Sequence, residues 1–159
     1  MGANSPAPIM KTITKFIRLM APFVFCLSPL LANANLATNL SDGQHVLLMR
    51  HADAPGYGDP AGYQLDQCST QRNLGDYGKK QAALIGVWLK NQGIKSANIL
   101  SSPWCRCIDT AKLLNLGPVK ISPALGSFFD DMSLEKRQTK ELEKLIQAQL
   151  NENSKIPLI

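Results

Sequence analysis

From position 45 onward, short apolar runs alternate with segments in which apolar residues recur at helical spacing. The run at 45–49 is nearly continuous, which is typical of a strand buried on both faces of a parallel sheet. Shorter runs predict strands at 98–101 and 119–121, and residues 156–159 resemble the beginning of a fourth. The pattern therefore predicts a sheet with buried faces.

Three helices are predicted among these strands. Small and apolar residues repeat at helical spacing over 78–89, and Gly93 follows as a stop signal. Ser102 is expected to cap the second helix, which ends at Gly117. The third helix spans about 133–150, with Ser133 as its N-cap. This alternation of strands and helices predicts an α/β fold with a mainly parallel sheet flanked by helices.

The N-terminal segment has a different pattern. Basic residues without an acidic neighbour precede an almost wholly apolar run at 19–31, and an Ala-x-Ala sequence follows at 32–34. A basic start, a short apolar core and small residues at the exit are the marks of a secretory signal peptide. We therefore expect residues 1–34 to be removed and residues 35–159 to form the mature domain.

An uncleaved membrane anchor is the alternative for this segment. Its apolar run is short for a bilayer span of ~20 residues, and Pro22 and Pro29 interrupt it. We therefore expect a periplasmic or secreted protein without a stable membrane anchor. Three positive charges of the formal net charge of +5 belong to this segment, at Lys11, Lys15 and Arg18, which leaves +2. So small a charge argues against nucleic acid as a partner.

Three of the four cysteines lie outside the predicted signal peptide, since Cys26 falls in its apolar core. In an oxidising compartment, three cysteines suggest one disulfide and one free thiol, so Cys68 could pair with either Cys105 or Cys107. Buried small side chains are an equally good interpretation. Two thiols one residue apart are a weak signal for a metal site.

Cationic side chains follow two of the predicted strands. Arg50 and His51 end the first strand, and Arg106 lies beyond the second, in the first turn of the next helix. Ligands of open α/β sheets bind beyond the carboxyl ends of strands, and a helix start favours an anion. Because a guanidinium matches phosphate oxygens and an imidazole can attack phosphorus, these residues suggest a site for a phosphoryl group.

Three motifs in a fixed order make this suggestion specific. They are Leu-Met-Arg-His-Ala at 48–52, Asn-Leu-x-x-x-Gly-x-x-Gln-Ala at 73–82, and Ser-Ser-x-x-x-Arg-x-x-x-Thr-Ala at 101–111. Each is weak alone, but together they resemble the histidine phosphatase (phosphoglycerate-mutase-like) superfamily over about 45–159. The resemblance implies the α/β fold of that superfamily.

The resemblance also implies roles for individual residues. His51 would be the nucleophile that becomes phosphorylated, and Arg50 and Arg106 would hold the phosphoryl oxygens and stabilise the transition state. Arg72 would extend the pocket as a substrate-binding residue, although a solvated surface arginine is the alternative. This chemistry requires no metal and no cofactor.

A carboxyl group often serves as the general acid in the superfamily. We expect Asp131 in this role, with Asp130 and Glu135 as the other candidates. All three lie where a helix is predicted to begin, so carboxylates that merely stabilise that helix start are the alternative interpretation.

The superfamily has a second catalytic histidine at the end of a later strand. The sequence contains only one other histidine, His45. It cannot take this place, because it precedes His51 on the same predicted strand and six residues of strand span ~20 Å. Since 156–159 resembles the strand that leads to the second histidine, we expect a domain that is incomplete at its C-terminal strands.

Taken together, these features predict a phosphatase that hydrolyses a phosphomonoester through a phosphohistidine, with turnover impaired by the incomplete pocket. A phosphate-binding relative with weak or no turnover is the main alternative, and mutase activity a lesser one. The compartment favours a phosphorylated small molecule or a cell-envelope phosphate as the substrate.

Overall fold

The computed structural model describes residues 35–152 and 156–159. The predicted signal peptide lies outside these residues. The helices and strands are, in chain order, α1 (Leu36–Leu40), α2 (Asp76–Asn91), β1 (Ile99–Ser101), α3 (Cys105–Leu114), β2 (Val119–Ile121) and α4 (Glu135–Asn151). Short 3₁₀ turns occupy Cys68–Thr70, Pro123–Leu125 and Met132–Leu134.

The sheet is built around β1. Strand β2 pairs with it in parallel, with Ile99 opposite Val119, and α3 forms the connection between the two. On the other side of β1, the segment 157–159 runs parallel to it and accepts a hydrogen bond from the Leu100 N–H at 2.8 Å. This arrangement confirms the predicted α/β fold, with a small parallel sheet and flanking helices.

The prediction of a regular first strand at 45–49 is wrong. These residues are extended and lie beside the segment 157–159, to which the Leu47 N–H donates a hydrogen bond at 3.0 Å. One such bond does not make a ladder, which needs successive bonds along both chains. Residues 157–159 form a parallel bridge between Leu158 and Asn98, with three backbone hydrogen bonds to Asn98 and Leu100, but no longer strand.

Helix α2 confirms the prediction at 78–89 and extends it by two residues at each end. Gly93 terminates it with φ of +93°, a left-handed conformation that glycine adopts without steric cost. The N–H groups of Gly93 and Ile94 donate to the carbonyls of Lys90 and Leu89, each at 3.1 Å. Leu89 and Ile94 are buried, so the turn also joins the helix to the core.

Helix α3 begins at Cys105, three residues after the predicted N-cap Ser102. Instead of Ser102, the side chain of Gln71 accepts the Cys105 N–H at 2.9 Å. The helix ends earlier than Gly117, because Asn115 adopts a left-handed conformation with φ of 52°. Both corrections arise from residues that satisfy the free backbone groups of a helix end.

Helix α4 begins two residues after the predicted N-cap Ser133. The preceding 3₁₀ turn is capped by the carboxylate of Asp131, which accepts the Ser133 N–H at 3.0 Å. Along the helix, Leu142, Leu145 and Ile146 recur at helical spacing, which predicts one apolar face, and in the structure all three line a single cavity.

The main core lies among α2, α3 and the sheet, and its buried residues are Leu40, Leu89, Ile94, Ala97, Ile99, Ala111, Leu114, Leu116 and Ile159. A smaller cluster contains Ala52, Ala54, Leu74 and Ala82. It therefore anchors the chain directly after His51 to α2. None of the helices within residues 35–152 has the length and apolar character needed to cross a membrane.

Candidate active site

A cavity of about 430 Å³ opens where β1 ends and α3 begins. The structure brings Arg50, His51, Arg72 and Arg106 together in its wall. Three guanidinium groups lie near one imidazole, and a guanidinium matches the oxygens of a phosphoryl group. Away from these groups, the cavity continues along the apolar face of α4.

The imidazole of His51 is half-buried and has a defined tautomer. Its Nδ1 lies 2.6 Å from the carbonyl oxygen of Ala52. Because a carbonyl can only accept a hydrogen bond, the proton must be on Nδ1. The lone pair of the neutral ring is therefore on Nε2, which is the nitrogen available to attack an electrophile.

The surroundings of His51 favour this neutral form. Burial is the largest influence and lowers the pKa of His51 below its ordinary value of 6.5. The positive charges of Arg106, Arg50 and Arg72 lower the pKa further, whereas the hydrogen bond to the Ala52 carbonyl opposes them. The ring is consequently unprotonated at neutral pH.

Residues of the second and third motifs hold the backbone after His51. The Ala52 N–H donates to Thr110 Oγ1 at 3.0 Å, and the Asp53 N–H donates to Gln81 Oε1 at 2.8 Å. A Cβ at Gly78 would lie 1.9 Å from the Asp53 carbonyl oxygen, so only glycine allows α2 to approach this closely. These contacts explain why the second and third motifs have Gly78, Gln81 and Thr110 at these positions.

Arg106 is held at both its backbone and its side chain. Its carbonyl accepts a hydrogen bond from the Thr110 hydroxyl at 2.7 Å. Its buried guanidinium pairs with the carboxylate of Asp59 through Nη1, at 2.8 and 3.0 Å. Its Nε is also buried but has no hydrogen-bond partner within the described part of the chain.

Arg72 lines the cavity, but its observed contacts are to the loop that precedes it. Its Nε donates to the carbonyl of Gly58 at 2.8 Å, and its Nη1 donates to the carbonyl of Ala54. Arg72 therefore organises the loop 54–59. The substrate-binding role expected from the sequence stays a prediction.

A disulfide joins Cys68 to Cys105 and so decides between the two predicted pairings. It links the 3₁₀ turn that leads to Arg72 with the first residue of α3, which precedes Arg106. Cys107 is a free thiol that lines the cavity.

Among the three candidate acids, Asp130 lines the cavity and Asp131 and Glu135 do not. The Tyr63 hydroxyl donates to Asp130 Oδ2 at 2.8 Å. Asp131 instead accepts hydrogen bonds from the side chain and backbone of Ser133, which lower the pKa of its carboxyl group. The structure therefore separates Asp131 from the other predicted site residues.

Two aromatic rings also border this side of the cavity. Tyr57 and Phe129 meet edge to face with their ring centroids 5.5 Å apart, and both are exposed. They connect the loop that carries Asp59 to the segment that carries Asp130.

His45 lies away from these groups. It is exposed, and its Nδ1 lies 2.8 Å from the Asp42 carboxylate. In residues 35–152 and 156–159, no three His, Cys, Asp or Glu side chains converge so as to hold a metal ion.

Sequence reasoning missed four residues that build this site. Gln81 and Thr110 occupy fixed positions in the quoted motifs, so the motifs themselves were a signal for their importance. Gln71 and Asp59 gave no local signal, because their partners Cys105 and Arg106 lie 34 and 47 positions away.

The family model of the histidine phosphatase superfamily (branch 1) matches residues 46–156. The chain therefore belongs to the histidine phosphatase superfamily. Membership indicates a phosphatase-type or phosphate-binding function in general terms. No curated protein and no solved structure matches the chain.

Proposed function

We propose that this chain is a phosphomonoesterase that transfers the phosphoryl group of its substrate first to His51 and then to water. The observation that carries the proposal is the tautomer of His51, whose Nδ1 is occupied by the Ala52 carbonyl. The nucleophilic Nε2 thus belongs to a neutral ring in a cavity with three arginines.

In the first step, the Nε2 lone pair forms a bond to phosphorus as the ester P–O bond breaks. The transferred group carries its negative charge on three equatorial oxygens, and in our proposal Arg50 and Arg106 contact these oxygens. Groups already fixed in position stabilise such charge without reorganisation at the moment of reaction. Burial of Arg106 and its ion pair with Asp59 provide that fixation.

The departing oxygen needs a proton, and we assign Asp130 to supply it because Asp130 lines the cavity. In the second step, the Asp130 carboxylate accepts a proton from water as the oxygen of water attacks phosphorus and the N–P bond breaks. Inorganic phosphate is released and His51 returns to its neutral form.

The role of Asp130 is testable through the leaving group. Since a general acid contributes about 10²–10⁴-fold, Asp130→Asn should reduce hydrolysis of an alkyl phosphate by that order. Hydrolysis of p-nitrophenyl phosphate should change far less, because p-nitrophenolate leaves without a proton. Asp131→Asn is the matched control, and a loss confined to it would reverse the assignment.

Export to the periplasm or the exterior is part of the proposal. It is supported by the signal-like pattern over residues 1–34 and by the disulfide between Cys68 and Cys105, a bond that persists in oxidising compartments. N-terminal sequencing of protein from a periplasmic fraction should find a start near Asn35. A terminus at Met1 or Met10 there would contradict it.

The phosphohistidine itself provides the central experiment. Reaction with p-nitrophenyl phosphate, stopped rapidly, should leave an acid-labile and alkali-stable phosphoryl group on the peptide containing His51. His51→Ala should abolish both this adduct and turnover, whereas His45→Ala should leave both intact. Turnover that survives in His51→Ala would overturn the proposal.

Binding of phosphate with little turnover is the second candidate. It is favoured by the position of His45, which is exposed and paired with Asp42 away from the cavity. Among the described residues, His51 is therefore the one histidine that lines the cavity. In that case orthovanadate and phosphate should bind, and Arg106→Ala should weaken that binding, while p-nitrophenyl phosphate is hydrolysed at background rate.

A further inference from the structure

The Asp59 carboxylate receives four hydrogen bonds in the wall of the cavity. Arg106 Nη1 donates to both of its oxygens, the Trp104 indole N–H donates to Oδ2 at 3.1 Å, and the Arg72 backbone N–H donates to Oδ1 at 2.9 Å. The Asp59 side chain is only 4% exposed. A buried carboxylate with so many donors has a fixed position.

The loop that carries Asp59 is itself built to present it. Gly56 and Gly58 adopt positive φ values of +90° and +67°, which favour glycine. The Arg72 side chain then holds the loop by donating to the carbonyls of Ala54 and Gly58. The loop and Arg106 therefore meet in one defined arrangement.

The contact with Asp59 uses only one corner of the Arg106 guanidinium. Nη1 lies on the same side of the group as Cδ, so the opposite edge, formed by Nε and Nη2, is not the edge that Asp59 contacts. That edge has the fork geometry that binds two oxygens of one phosphate. Nε, on this edge, is buried without a partner in the described residues.

We infer that Asp59 is a positioning residue that holds Arg106 with its Nε–Nη2 edge directed at the phosphoryl group. The inference rests on the proposed function for its role in turnover, but the orientation of Arg106 can be measured without it. Burial alone would raise the pKa of Asp59, yet the hydrogen bonds from Arg106 and Arg72 outweigh burial and lower it. Asp59 is thus ionised wherever the enzyme is folded near neutral pH.

Removing this charge should affect turnover more than substrate binding. Loss of one fixed donor costs about 10²–10³ in rate, so a misoriented Arg106 in Asp59→Asn should lower kcat by about 10–100-fold. KM should not rise. The Asp59 carboxylate repels the anionic substrate, so removing its charge favours binding and offsets the weaker contact with Arg106. In Asp59→Ala, added formate should restore part of kcat, since a free carboxylate can occupy the vacated position.

The decisive experiment follows the Nε–H resonance of Arg106 in a ¹⁵N spectrum, assigned with Arg106→Lys. In the wild-type chain we expect a sharp signal that shifts on addition of orthovanadate. In Asp59→Asn it should broaden and shift less, and the orthovanadate Kd should rise, because five-coordinate vanadate mimics the transition state rather than the bound substrate. Asp66→Asn, at an exposed position between Asp59 and Arg72 in the sequence, is the control that should match the wild type.

The outcomes separate the inference from the proposed function. An unchanged Arg106 signal and an unchanged orthovanadate Kd in Asp59→Asn would overturn the positioning role, whatever the wild-type turnover. A changed signal and Kd in a chain that hydrolyses no phosphomonoester would support positioning while removing the phosphatase proposal. A thermal unfolding midpoint for Asp59→Asn close to that of Asp66→Asn shows that the comparison concerns folded protein.

Discussion

The Thr110 hydroxyl accepts a hydrogen bond from the backbone N–H of Ala52 at 3.0 Å, across 58 positions of sequence. The same hydroxyl donates its proton to the carbonyl of Arg106 at 2.7 Å. One buried side chain thus joins the residue that follows His51 to the helical turn that carries Arg106. This contact fixes the distance between the proposed nucleophile and its main cationic partner.

Thr110→Val removes this link while preserving the shape of the side chain. The Ala52 N–H would then be buried without its acceptor, so we expect a loss of about 1–3 kcal/mol in the free energy of unfolding. Turnover should fall as well, because His51 is held less firmly. Thr139→Val, at an exposed position of α4, is the control for urea denaturation, and equal losses in the two variants would contradict the interpretation.

Gly78 is the second residue that sets the position of the chain after His51. A Cβ there would overlap the Asp53 carbonyl oxygen, so Gly78→Ala must push α2 away from the site. We expect a net destabilisation of about 1–3 kcal/mol, as for an overpacked core, although alanine ordinarily favours a helix.

Ala83→Gly, at an exposed position of the same helix, calibrates that ordinary preference at about 1 kcal/mol. If helix preference alone governed Gly78, the change to alanine would stabilise the protein by a similar amount. A higher thermal midpoint for Gly78→Ala would therefore refute the close-approach argument.

The elements that follow local rules could be predicted from the sequence. Helix α2 has small and apolar residues at helical spacing and a glycine stop, and its observed bounds differ from the predicted ones by two residues at each end. The residues of the candidate site were also predictable in part, since Arg50, His51 and Arg106 occupy fixed motif positions. Their identification depended on three ordered motifs rather than on any single residue.

The features that were missed depend on partners distant in sequence. Ser102 carries a local capping signal, yet Gln71 caps α3. Gln71 follows the 3₁₀ turn Cys68–Thr70, and the disulfide from Cys68 to Cys105 holds that turn beside the Cys105 N–H. Asp59 lies in a loop rich in glycine and proline, where its residue type suggests only a turn. Both roles follow from folded geometry that no local pattern encodes.

The disulfide itself gives a prediction about stability and anion binding. It connects Cys68 and Cys105, 37 positions apart, and a cross-link over such a loop is expected to contribute about 4 kcal/mol. The double variant Cys68→Ser/Cys105→Ser should unfold at lower urea concentration and bind orthovanadate more weakly, because the segments of Arg72 and Arg106 are no longer tied. Cys107→Ser keeps the bridge and should keep the wild-type midpoint, whereas equal midpoints with and without reductant would contradict the prediction.

The titration of His51 tests the electrostatic description of the site. Burial and the neighbouring arginines lower the pKa of His51 below 6.5, so the imidazole should protonate only under more acidic conditions than in the unfolded chain. As pH falls below 6.5 the unfolded state therefore binds this proton first, and stability decreases until the folded-state pKa is passed. The acid limb of kcat/KM should follow the same pKa, since a protonated ring cannot attack phosphorus. Proton NMR of the His45→Gln variant, in which His51 is the remaining histidine, gives the pKa directly.

Adding Arg50→Gln to the His45→Gln variant removes one of the positive charges that act on His51. The pKa of His51 should then rise toward its ordinary value, and the acid limb should move to higher pH with it. Lys120→Gln removes an equal charge from an exposed position on β2 and should leave the titration unchanged. An equal shift in both variants would mean that net charge, rather than the arrangement of arginines around the imidazole, sets the pKa of His51.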